Sequence, residues 1–168
     1  MWESAYFTVS AFLFLYSTMV KLKDEIKQTR FRNTHQEAAI NILFTSGWLF
    51  NKQKDFFKPY GITGQQFNVL SILRGQHPAK TSGAEIKSRM LDKNSDVSRI
   101  LDRLLLKKLI IKNQCPNDKR AADIEISQAG LNLLATIDSN INALDVALAN
   151  LTEEEAAQLS RLLDKARG

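Results

Sequence analysis

The residues of this chain with the most evident chemistry are cations set among hydroxyls. Lys93, Ser95, Asp96, Ser98, Arg99 and Arg103 crowd one short stretch, and Asp118, Lys119 and Arg120 follow the single cysteine in CPNDKRAADIEIS, residues 115–127. Such groups suit recognition of a polyanion: Arg offers a paired donor fork to a guanine edge or a phosphate, and Ser pairs with several bases. The charge distribution points the same way. From Arg74 to Arg120 there are twelve Lys and Arg against five Asp and Glu, whereas the remainder holds eleven against thirteen, in a chain of net charge +5. Neutralising phosphates releases condensed counterions, so a local excess of base is what a nucleic-acid face requires. A merely solvated basic surface is the competing account at this level.

Other chemistries find no footing. A thiol nucleophile needs a base and an orienting group, and His35 and His77 stand in no fixed relation to Cys115. One Cys cannot close an intramolecular disulfide, and one Cys with two His cannot build the usual zinc sites. There is no Gly-rich phosphate loop and no spaced pair of carboxylates on a rigid element. The expectation is a non-enzyme without metal or cofactor, working in a reducing, cytoplasmic setting. Cys115, next to Pro116 at a strand end, is read as structural or incidental.

The elements that must position these residues are mostly helical. At 168 residues, 44% hydrophobic and 24% charged, with seven Gly and three Pro, the chain fits one compact domain with a real core. Thr34 and Glu37 read as a capping box opening a helix that runs to Pro59-Tyr60-Gly61. A second helix follows Thr63 and stops near Gly75 to Pro78. A third begins at Thr81 or Ser82. The fourth, SDVSRILDRLLLKK, is the most informative: at about 100° per residue Val97, Ile100, Leu101, Leu104 and Leu105 share one arc, and Ser95, Asp96, Ser98, Arg99, Asp102 and Arg103 the other. Leu106 falls on the polar arc without an obvious task. A short helix, a tight connection and a longer amphipathic helix make a helix-turn-helix. Leu109 to Cys115 and Ala122 to Ile126 then alternate around a Pro-Asn-Asp turn, a hairpin that completes a winged helix. The basic tip acquires a purpose: Arg120 enters a minor groove while Asp118 holds its guanidinium, and Lys119 meets phosphate.

Residues from about Thr34 to Leu163 resemble the MarR family of bacterial winged-helix transcriptional regulators. The resemblance rests on DVSRILDRLLLKKLI, on the wing DKRAADIEIS with its Asp-x-Arg, and on Ser127-Gln128-Ala129-Gly130, where the family usually has Thr-x-x-Gly. It implies a mainly α fold with a small β-hairpin wing, a winged helix-turn-helix lobe over 62–127, and dimerisation helices over 34–58 and 128–168. It also implies a homodimeric repressor that binds a pseudo-palindromic operator in double-stranded DNA and is often released by a small phenolic or anionic effector. Residue by residue, it gives Ser95, Ser98 and Arg99 base or phosphate contacts and Arg120 the minor-groove role, with Asp118 orienting it. Asp96 departs from the family, which often carries a small hydroxyl residue there; it either reads cytosine or caps the helix.

Two further expectations come from the residues themselves. Leu134, Ile137, Ile141, Leu144, Leu148 and Leu151 keep a three-four spacing that reads as a narrow seam for a facing helix of a second chain. Phe44, Trp48 and Phe67 belong to an aromatic cluster that is either core or a ligand pocket. Residues 1–33 form an extension, apolar over 4–20. That run is at the lower limit for a membrane span and lacks both a basic flank before it and an A-x-A cleavage site. A helix packed on a partner subunit, an anchor, or a translated extension with the working start at Met19 all stay open, the anchor being the poorest fit. The alternative to a DNA-binding regulator is a helical scaffold for a protein partner, with or without a membrane.

Overall fold

The structure, a computed structural model, describes residues 20–115 and 118–168, with side chains described there except at 115, 118–121 and 143. All of the apolar run at 4–20 except Val20 thus lies outside the described residues, and among the described ones no helix is long and apolar enough to cross a membrane. The chain divides into two compact units between Trp48 and Leu49.

The first unit contains a short helix α1 (Leu22–Glu25) and the first part of a long helix α2 (Thr34–Phe57). The expected cap is displaced by one residue. Asn33, not Thr34, sits just outside the helix, and its Oδ1 accepts from the Gln36 N–H at 2.9 Å. Glu37 does not fold back on the helix end, because its carboxylate lies 3.3 Å from the Lys23 ammonium.

The second unit takes the end of α2, a 3-10 turn at Lys58–Tyr60, α3 (Gly64–Gln76), α4 (Gly83–Arg89) and α5 (Val97–Leu106). There follow β1 (Ile110–Cys115), β2 (Asp118–Ile126), α6 (Gln128–Asp138), α7 (Asn142–Asp145), a 3-10 turn at Val146–Leu148 and α8 (Glu153–Arg167). This is the expected winged helix-turn-helix order. Thr63 and Gln66 form a reciprocal capping box, with N–H to side-chain oxygen distances of 3.1 and 3.2 Å, which fixes where α3 starts. Leu70, Leu73, Ile86, Leu104, Ile124, Leu134 and Ile137 are fully buried and form one core beneath α3, α5, the hairpin and α6. Each such aliphatic side chain contributes roughly 1.5–3 kcal/mol through removal from water. The strands are antiparallel, with Ile110 opposite Ile126 and Lys112 opposite Ile124, and the register shifts between Gln114 and Cys115. Thr81 adds a one-residue rung beyond β2 by exchanging backbone hydrogen bonds of 3.0 and 2.9 Å with Ile124.

The carboxyl end of α5 carries a strained residue. The Lys108 N–H donates to the Leu105 carbonyl at 2.9 Å and the Leu109 N–H to the Leu104 carbonyl at 3.0 Å, the two bonds of a Schellman ending. That ending puts its penultimate residue in the left-handed region, and Lys108 occupies it at φ 58° where glycine is normally found. Lys108→Gly is therefore expected to raise stability by roughly 0.5–1 kcal/mol. A thermal melt showing a lower transition temperature would contradict this account of the strain.

The seam after Ser127 is corrected. No single helix runs from Leu134 to Leu151: α6 stops at Asp138, where Ser139 Oγ and Asn140 Nδ2 both donate to the Thr136 carbonyl, at 2.7 and 3.2 Å. Side chains that bond back to the backbone compete with helix continuation. Leu134 and Ile137 are wholly inside this chain's own core, and Ile141 and Leu144 pack on its edge. At Leu134 and Ile137 the three-four spacing reports packing within the chain, whereas Leu148 is 40% exposed.

Candidate nucleic-acid interface

α5 owes its orientation to what lies beneath it. Val97, Ile100, Leu101 and Leu104 are buried, so Ser98, Arg99, Asp102 and Arg103 must face outward. Asp96 caps the helix, as one of its two expected roles has it: its Oδ1 accepts from the Arg99 N–H at 3.1 Å. Asp102 lies 3.5 Å from the Lys112 ammonium on β1, linking the exposed face of the helix to the hairpin. Lys93 is exposed in the connection before α5, where its ammonium donates to the Ser88 carbonyl at 2.6 Å.

Ser95 does not join this face. It is only 5% exposed. Its hydroxyl donates to Asp92 Oδ2 at 3.0 Å and accepts from the Gln65 amide at 3.2 Å, and that amide also reaches Asp92 Oδ2 at 3.2 Å. Asp92 Oδ1 meanwhile accepts from the Asn94 N–H at 2.9 Å. Ser95 is thus corrected from a base or phosphate contact to part of a clasp between α3 and the connection that delivers α5. The Asn94 N–H and then the Ser95 hydroxyl hold the Asp92 carboxyl below its ordinary value, so the clasp keeps its acceptor ionised further into the acid range.

Lys87 and Lys112 belong to the basic surface, although the sequence reading passed over them. Together with Asn94, Asp96 and Ser98 they border an open depression of about 700 Å³ between α4, the start of α5 and the hairpin. A signal for Lys112 was available in strand alternation, since the period that turns Ile110 inward puts Lys112 on the same face one step toward the tip. The wing side chains Asp118, Lys119 and Arg120 lie outside the described residues, although the β2 backbone begins at Asp118. Of the aromatic residues, Phe67 stacks on Phe57 with centroids 4.7 Å apart in the second unit. Phe44 and Trp48 lie on the first-unit part of α2, 40% and 39% exposed.

Geometry of this kind has counterparts. The profile of the MarR family matches residues 62–122, which span α3 through the hairpin. The chain is 30% identical to the multiple antibiotic resistance protein MarR of Escherichia coli over 124 residues, 70% of this chain and 85% of that one. It is 32% identical over 111 residues, 65% of this chain and 70% of the relative, to YkoM of Bacillus subtilis, an uncharacterised HTH-type transcriptional regulator. Among solved structures, the S. aureus MepR–DNA complex superposes with a TM-score of 0.68 at 23% identity, covering 76% of this chain and 94% of that one.

Proposed function

This chain belongs to the MarR family of winged-helix transcriptional regulators, and on that footing we propose that it acts as a homodimeric repressor. It binds a pseudo-palindromic operator and leaves it when a small ligand is bound. The observation that carries DNA binding is α5 itself: four apolar side chains anchor one side, and Ser98, Arg99 and Arg103 project from the other. MepR, of the same fold, was solved as a DNA complex, which supports DNA binding here. A second copy is supported by apolar side chains that their own chain leaves exposed, Ile42 and Leu43 on α2 and Val146, Leu148 and Leu162 toward the carboxyl end. Two-fold pairing repeats the recognition helix at a spacing of about one DNA turn, which a pseudo-palindrome matches. The DNA-binding set is Lys93, Ser98, Arg99 and Arg103 with Lys119 and Arg120 of the wing, and Asp118 orients Arg120.

The test is fluorescence anisotropy with duplex from immediately upstream of the protein's own gene against a shuffled duplex. Arg120→Ala is expected to weaken operator binding by about 1–3 kcal/mol, roughly five- to 150-fold. An unchanged affinity removes the wing from the mechanism, and equal weak binding to both duplexes removes sequence recognition.

A further inference from the structure

The buried side of α5 sets which way the helix faces, but apolar contact is non-directional and leaves its position along the axis loosely defined. The turn before the helix supplies the directional bonds. Gln65 and Asn68, three residues apart and so on one face of α3, both reach into that turn. Asn68 Oδ1 accepts from the Leu91 N–H at 3.0 Å. The Gln65 amide donates to Asp92 Oδ2 and to the Ser95 hydroxyl, each at 3.2 Å. Within the turn the Ser95 N–H donates to the Asp92 carbonyl at 3.2 Å. The Ser95 hydroxyl and the Asn94 N–H take the two Asp92 carboxylate oxygens, at 3.0 and 2.9 Å. One residue, the Asp96 cap, separates Ser95 from Val97 at the start of α5. Whatever fixes Ser95 therefore fixes where Ser98 and Arg99 stand.

We infer that Gln65 and Asp92 are positioning residues that determine sequence specificity: through Ser95 they hold the amino end of α5 where its side chains meet base edges, without touching DNA themselves. The inference rests on the DNA-binding reading above. Paired hydrogen bonds to a base edge demand exact placement, whereas attraction to phosphate tolerates displacement. The clasp therefore serves the operator and not duplex in general. The charge of Asp92 gives the inference a sign of its own. Asp92 is an exposed carboxylate beside Lys93, and by charge alone its removal tightens binding to any duplex. As the centre of the clasp, its removal weakens binding to the operator. Gln65 is neutral and its amide is engaged within the clasp, so its loss leaves phosphate attraction unchanged.

The test compares the full chain with Gln65→Ala, Asp92→Ala and the double variant, each titrated against the operator duplex and the shuffled one. Both residues are exposed, so neither change opens the core. Each single variant should bind the operator about tenfold more weakly, the scale of one hydrogen bond to a charged group. The shuffled duplex should be held as before by Gln65→Ala, and as before or more tightly by Asp92→Ala. Gln65→Ala should also keep the salt dependence of the unaltered protein, since no cation is lost. The double variant should be little worse than the weaker single one, because both break the same clasp. Tighter operator binding by Asp92→Ala, equal weakening on both duplexes, or fully additive losses each overturn the inference. Amide hydrogen exchange on the DNA-free protein is the second readout: Gln65→Ala should speed exchange at Asn94 and Ser95 by about tenfold while the core amides of Leu70 and Leu104 stay protected. Unchanged exchange there overturns the clasp's hold on the turn. If the unaltered protein prefers neither duplex, the DNA reading fails and specificity falls with it, while the exchange measurement still decides whether the clasp orders the turn.

Discussion

Gly130→Ala is expected to destabilise the protein by about 3 kcal/mol, at the upper end of what a single overpacked methyl costs. A Cβ built on Gly130 stands 2.3 Å from the Leu109 carbonyl oxygen and 2.7 Å from Ile126 Cγ1. Neither neighbour is free to retreat. The Leu109 carbonyl accepts from the Ser127 N–H at 3.1 Å, and Ile126 is buried in the register pair with Ile110. Ser127 completes the knot: its hydroxyl accepts from the Gly130 N–H at 3.1 Å and donates to the Lys108 carbonyl at 2.8 Å. The Ser-x-x-Gly signature therefore clamps α6 to the point where the recognition helix hands over to the hairpin. In a protein of this size the loss should lower the melting temperature by roughly 6–12 °C. A decrease under about 2 °C would show that the backbone yields and that glycine is not required by close approach. Because the clamp sets the angle between α5 and the wing, operator affinity of the folded variant should fall as well.

The parts of the fold legible in the sequence are those whose causes are local. The Thr63 capping box, the Ser82 cap of α4, the apolar arc of α5 and the alternation of the hairpin each depend on residues within a few positions of one another. What escaped depends on distant partners or on fine competition. Ser95 has the type and position of a DNA contact, but Gln65, thirty residues earlier, joins Asp92 in holding it inward. The Thr81 rung required knowing that Ile124 returns beside it. The apolar spacing through Leu134 and Ile141 is real, but Ser139 and Asn140 interrupt the helix that would have carried it as one seam. Leu106, without a task on the polar arc of its helix, shares a surface groove with Phe50 and Ile62, which come from distant parts of the chain. In each case the residue types limited the options, and either a contact far along the chain or a local competition for a backbone carbonyl chose among them.

Salt dependence should show the largest effect of all, and it tests charge and oligomeric state together. Among the described residues Arg99 and Arg103 project from α5, and Lys119 and Arg120 add two cations at the wing. Asp102 partly neutralises Lys112, and Lys93 is held to a carbonyl, so neither counts fully. Four effective cations per chain, doubled by a second copy, make about eight phosphate contacts. The expected slope of log affinity against log salt is then about −7, and operator affinity should fall roughly 10⁴-fold between 50 and 200 mM. A single chain on the DNA predicts about −4 and roughly a 10²-fold fall over the same range. Arg103→Ala separates the two without reference to absolute affinity: it should reduce the slope by about 2 if two copies bind and by about 1 if one does. A slope that stays near −7 in the variant would place Arg103 off the phosphates.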